Sequence, residues 1–131
     1  MSWCRMALLA EDVMTTTVRN IAVIAVNDGR IEELKALVSE MHAVMREKDP
    51  GTVGHDWFVN EAGTEVVVLE EYRSAEDVAR HLATTEEFST RMGELGTMTS
   101  VLVCGQLPDE MRSALEAFQA KAYRPFVEYN V

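Results

Sequence analysis

HDWFVNEAGTEVVVLEEYRSAEDVARHL, residues 55–82, decides the fold. Apolar and β-branched runs on either side of a Gly-containing turn predict two antiparallel strands, residues 53–60 and 65–72, joined over residues 61–64. Ser74, with Asp77 three residues on, is a capping-box-like opening, so a helix follows at once with Val78, His81 and Leu82 on its inward stripe. Along a strand alternate residues share a face, which groups Val53, His55, Trp57 and Val59 on the first strand and Val66, Val68, Glu70 and Tyr72 on the second. An even-numbered turn brings these two sets to the same side of the sheet, whereas a one-residue slip would separate them. The stretch then gathers two histidines, a Trp, a Tyr and a carboxylate beside a helix. That is enough to line a pocket with an acid or base in it, and also enough for a plain core.

Upstream, residues 18–26 are rich in Val and Ile and too short for a helix, so they predict a buried strand. Asn27-Asp28-Gly29 turns the chain, with Asp28 as a cap. Over residues 30–48, Ile31, Leu34, Val38, Met41 and Met45 recur at spacings of three and four, widened by Leu37 and Val44, which predicts an amphipathic helix. His42 falls beside that stripe as a boundary residue, and Asp49-Pro50-Gly51 ends the helix. Downstream, Thr84 with Glu87 repeats the start signal, so a break near Thr84 and a second helical piece carrying Phe88 and Met92 are expected. A fourth strand follows over residues 97–105. Pro108-Asp109-Glu110 opens a last helix with Met111, Leu115, Phe118 and Ala122 on its apolar face, and the tail carries Tyr123, Phe126 and Tyr129, too aromatic to stand in water without a docking site. The organisation expected is an extension over residues 1–14, one domain over 15–106, and a helix and tail over 107–131.

With 131 residues the chain suits a single core. Twelve Lys and Arg against 22 Asp and Glu give a net charge of −10, which repels phosphate backbones and anionic lipid, so neither nucleic acid nor membrane is an expected partner. No apolar run approaches the roughly 20 residues that span a bilayer. The first ten residues do not read as a signal peptide, and Cys4 and Cys104 stand alone with no CxxC pair or nearby histidine, so a cytoplasmic location, unpaired thiols and no metal framework are expected.

The element order β-α-β-β-α-β with a short central hairpin is the ferredoxin-like arrangement, an α+β fold with a four-stranded antiparallel sheet. Within it, Asp49-Pro50-Gly51 before the second strand, Glu70-Glu71-Tyr72 closing the third, Ser74-Ala75-Glu76-Asp77 opening the helix, and His81-Leu82-Ala83-Thr84 with Phe88 resemble the antibiotic biosynthesis monooxygenase family. The resemblance covers residues 18–105. It implies a homodimer built as a dimeric α/β barrel, a pocket between each sheet and its helices, and oxygenation of a quinol or polycyclic phenol by O2 without metal, haem or flavin. A haem-degrading branch of the same fold uses an Asn, a Trp and a His. By position these would fall near Ala22, on Tyr72 and near Met92, and none of the three is present there.

Oxygenation without a cofactor needs the substrate's proton removed so that the phenolate can pass an electron to O2. His81 and Glu70 are the candidate catalytic residues, His81 as the base because an imidazole titrates nearest working pH, Glu70 as an alternative base or as the group that orients the ring. Tyr72, Trp57, His55 and Phe88 are the candidate substrate-binding residues, able to stack on a planar aromatic or hydrogen-bond to it. The alternative is a non-catalytic dimeric module of the same fold that binds a small apolar molecule, in which case His81 is a satisfied core histidine.

Overall fold

A computed structural model describes residues 16–129. The expected extension and Cys4 lie outside the described residues. Strand β1 (Val18–Val26) leads into helix α1 (Ile31–Lys48), then β2 (Thr52–Val59), β3 (Glu65–Tyr72), helices α2 (Ala75–Thr84) and α3 (Glu86–Met92), β4 (Gly96–Cys104), helix α4 (Asp109–Ala117) and a short β5 (Lys121–Tyr123). The sheet order is β2-β3-β1-β4-β5, with β1 at its centre and antiparallel to both neighbours.

The expected four-stranded antiparallel core is present, but the sheet has five strands and is mixed. β5 adds to the free edge of β4 in parallel, Val103 opposite Ala122. The last helix stops at Ala117 because Gln119 takes a left-handed conformation (φ 65), with Gln119 N–H bonded to the Glu116 carbonyl and Ala120 N–H to that of Leu115. That pair of bonds with a left-handed residue between closes a helix as a Schellman motif, usually around Gly. The early stop corrects the expected apolar face: Met111 and Leu115 pack inward, but Phe118 is 84% exposed and Ala122 belongs to β5. Nor does the tail find a docking site within the subunit, since Phe126 is 97% exposed and Tyr129 88%.

Helix α1 buries Leu34, Leu37, Val38, Met41 and Met45 as its spacing predicts. Its N-cap is Arg30, without a side-chain cap, so Asp28 only serves the turn. Ser74 caps α2 by accepting from the Asp77 N–H. The break before α3 falls where Thr85 Oγ1 donates to the His81 carbonyl at 2.8 Å, a local hydrogen bond that competes with helix continuation.

In the hairpin His55 lies opposite Glu70 and Trp57 opposite Val68, so the two sets share the inner face as an even turn requires. A register shift between Thr52 and Gly54 bulges Val53 outward, half exposed, and turns Thr52 inward in its place. The helices cover this inner face. One apolar cluster joins Ala22, Ile24 and Val68 to α1 and Phe88, and another joins Val18, Tyr72 and Val103 to Val78 and Leu107. No helix among the described residues is long and apolar enough to cross a membrane.

Candidate active site

All three histidines of the chain converge where α1, the β2-β3 hairpin and α2 meet. The pairs His42-His55 and His55-His81 each have ring centroids 5.1 Å apart. Glu70 lies in their midst: its Oε1 accepts from Tyr72 OH at 2.5 Å and stands 3.4 Å from His55 Nε2 and 3.6 Å from His81 Nε2.

Asp49 is the residue that orders this group. It is the C-cap of α1 and only 2% exposed, yet a carboxylate is the wrong charge for the negative end of a helix. Its Oδ2 accepts from Thr52 Oγ1 at 2.8 Å and meets His81 Nδ1 at 2.7 Å. An ionised carboxylate only accepts, so Nδ1 of His81 carries the proton and Nε2 is turned toward Glu70 and the interior. The tautomer of His55 follows from the same reasoning. Trp57 Nε1 can only donate and lies 3.1 Å from His55 Nδ1, so that nitrogen is the acceptor and Nε2 holds the proton facing Glu70. His42 Nε2 stands 3.0 Å from the same Nδ1.

Burial pushes the Glu70 carboxyl up, but hydrogen bonding from His55 and Tyr72, with attraction to the His55 and His81 rings, outweighs it and holds the group below its ordinary value. Burial, and then the Glu70 charge and hydrogen bond, push the Tyr72 phenol far up, so it stays a donor. Desolvation first, and then the neighbouring His55 ring and the Arg46 charge, depress His42.

A cavity of about 160 Å³ opens beside this network, between the inner sheet face and the helices. His55, Trp57, Glu70, Tyr72 and His81 form its polar end, and Met41, Val68, Val78, Met92 and Val101 much of the rest. Its volume is near that of a cavity that holds one benzene ring. Asn20, buried on β1, also lines it, and its Oδ1 has no hydrogen-bond partner among the described residues.

Five of the six residues named from the sequence, His81, Glu70, Tyr72, Trp57 and His55, are therefore brought together. Phe88 is not among the wall residues; it packs in the larger apolar cluster, with the Arg91 guanidinium over its ring. Sequence reasoning missed Asp49, His42, Thr52 and Asn20. Of these only Asn20 carried a readable signal, a polar residue in phase with the buried Val18, Ala22 and Ile24. It also means that β1 does present an inward Asn, two residues before Ala22.

The profile described as antibiotic biosynthesis monooxygenase matches residues 17–89, more than half the chain and every polar residue of the site. The chain belongs to that family. Among solved structures, MupZ from Pseudomonas fluorescens aligns with 90% of this chain and 91% of its own length at 18% identity and a TM-score of 0.80. Rv0793 from Mycobacterium tuberculosis aligns over 72% of this chain and 98% of its own, at 27% identity and a TM-score of 0.60. SnoaB, a cofactor-independent oxygenase from Streptomyces nogalater, does so over 67% and 90%, at 18% identity and a TM-score of 0.59. The likeness to MupZ thus reaches beyond the segment that defines the antibiotic biosynthesis monooxygenase family. No curated protein sequence matches the chain.

Proposed function

We propose that the protein is a cofactor-independent monooxygenase acting on a small electron-rich phenol or quinol, with His81 as the base. The observation that carries this reading is the Asp49-His81 pair, which fixes the proton on Nδ1 and leaves Nε2 free at the polar end of an otherwise apolar cavity. His81 Nε2 takes the phenolic proton and Asp49 stabilises the imidazolium that results. The phenolate then passes an electron to O2, and the two radicals combine to a carbon-bound peroxide. Where that carbon keeps one hydrogen, loss of water from the protonated peroxide leaves a carbonyl. The apolar lining concentrates an aromatic ring and O2 and keeps bulk water from the intermediate. Asn20 Oδ1 offers an unused acceptor for a second hydroxyl.

The cavity favours a single ring over a fused polycyclic one, which would have to protrude from its mouth. Oxygen uptake with matched single-ring and fused-ring hydroquinones, read beside ligand-induced thermal shift, tests this. Uptake faster with the single-ring compounds is the expected result. Thermal stabilisation without uptake would instead favour a binding module of the same fold, and neither response would sink both readings.

A homodimer is the accompanying proposal. The sheet face turned away from the helices presents Phe58, Leu69 and Ile21, between a third and just over a half exposed, in a row with Val67 and Val23. Such a face gains by being covered. Sedimentation velocity at micromolar concentration is expected to show twice the chain mass, and a monomer there would overturn the proposal.

A further inference from the structure

We propose that His55, Glu70 and His81 form a site for a divalent first-row transition cation of the zinc class. One ligand atom from each of the three lies within 4.8 Å of the other two. The two imidazole Nε2 atoms stand 3.4 Å and 3.6 Å from the same Glu70 oxygen. Ligands bonded tetrahedrally at about 2.0–2.1 Å sit about 3.4 Å apart, so Glu70 already stands at ligand spacing from both imidazoles, and the two rings, within 4.8 Å of each other, have at most about 1.4 Å to close. Two nitrogens and one carboxylate suit zinc or cobalt, whereas calcium and magnesium call for a cage of oxygens.

Two further observations point to a cation. Each ligand already has the outer partner that orients a metal-binding side chain. Asp49 holds His81 Nδ1 at 2.7 Å, His42 stands 3.0 Å from His55 Nδ1, and Tyr72 OH bonds Glu70. Charge balance is the second. Asp49 and Glu70 place two carboxylates in the interior, and among the described residues the only basic side chains within ion-pairing distance of them are histidines. A dication matches their summed charge without requiring either imidazole to be protonated.

Binding has a local consequence. With the ion on His55 Nε2, the ring's proton must sit on Nδ1, where it donates to His42 Nε2 and displaces the Trp57 N–H that Nδ1 now accepts. Trp57 emission therefore reports occupancy. The ion also claims the lone pair of His81 Nε2 that would take the substrate's proton, so an occupied site cannot act as the base. Affinity is measured without substrate, and its absence would leave the oxygenase reading standing.

The test uses untagged full-length protein stripped with chelator, titrated with Zn²⁺ by calorimetry and with Co²⁺ by visible absorption. Trp57 emission is followed in a Trp3→Phe background, since Trp3 is the only other tryptophan. One ion per chain with a micromolar or tighter Kd is expected, with the strong visible bands of four- or five-coordinate cobalt and a change in Trp57 emission. His55→Ala and His81→Ala should each weaken binding by about a hundredfold or more, and Asp49→Asn by about 10- to 100-fold, as outer-partner changes do. A Kd above about a millimolar, or affinity unaltered in either histidine variant, overturns the proposal. Should an Ala variant fail to fold, the wild-type cobalt spectrum decides, and the weak bands of six-coordinate hydrated cobalt count against the site.

Discussion

His81→Ala is expected to slow oxygen uptake on a hydroquinone by about 10²- to 10⁴-fold, the span a positioned base contributes. A phenol with a pKa of about 10 is almost wholly protonated near neutral pH, so electron transfer to O2 waits on proton removal. His81 is the group placed for it, because its other nitrogen is committed to Asp49 at 2.7 Å. The variant also deprives Asp49 of a partner, and a buried carboxylate left with Thr52 alone will cost stability. The comparison must therefore be made on protein shown by circular dichroism to be folded. Added imidazole, small enough for the vacated space, should restore part of the rate if the role is chemical, and should do nothing if the ring is only packing. Glu70→Gln should have the smaller effect, since it keeps a hydrogen-bonding group beside both rings. An undiminished rate in folded His81→Ala would place the base elsewhere.

The largest effect on stability is expected at Tyr72, which is 1% exposed at the junction of sheet and α2. Tyr72→Ala should cost about 3–5 kcal/mol, as truncating a buried aromatic does, a large part of the roughly 5–15 kcal/mol that holds a domain together. Tyr72→Phe keeps the ring and removes only the donor to Glu70, and should cost about 1.5–3 kcal/mol, the range for a hydrogen bond to a charged group. Urea denaturation across pH separates the two contributions. Glu70 is held below its ordinary value in the folded state, so between the two values the unfolded chain binds more protons and stability falls as pH is lowered. Tyr72 is raised, so its contribution is complete below the ordinary tyrosine value of 10.0 and is lost as pH climbs past it. Tyr72→Phe should soften the acid loss and remove the Tyr72 share of the alkaline one. A wild-type acid limb no steeper than that of the variant would contradict the assignment of this hydrogen bond.

The elements that alternation, helical spacing and turn residues specify locally were legible in the sequence. These include β1, the α1 stripe, the hairpin register and the interruption between α2 and α3. What escaped depends on distant segments. Asp49-Pro50-Gly51 reads correctly as the end of a helix, but that reading hides Asp49 as the partner of a histidine 32 residues on. His42 sits at the margin of its helix stripe, and only the hairpin folding against α1 gives it His55 as a neighbour. The bulge at Val53 defeats strict alternation, sending a valine outward and a threonine in. β5 is three residues long, too short for any period, and exists because β4 leaves an open edge and Gln119 turns the chain toward it. Phe88 was placed by helical phase on the correct side of the helix, yet helical phase does not distinguish a core position from a cavity wall.

The central position of β1 dictates an order of assembly during synthesis. Once Tyr72 has left the ribosome, β1 can pair with β3 and β3 with β2, since all three strands are then available. Its other edge must wait for β4, which begins 70 residues after β1 ends, counting from Val26 to Gly96. Chains emerge from the N-terminus onward, so the nascent protein passes through a stage in which half of its central strand is unpaired and prone to sticking to other chains. His42, Asp49, His55 and Glu70 are all present by then, and His81 follows nine residues after the hairpin closes, but Val101, Val103 and Leu115 on the far wall of the cavity are supplied only afterwards. The polar end of the site is thus the first part of it to be made, and the apolar enclosure is the last.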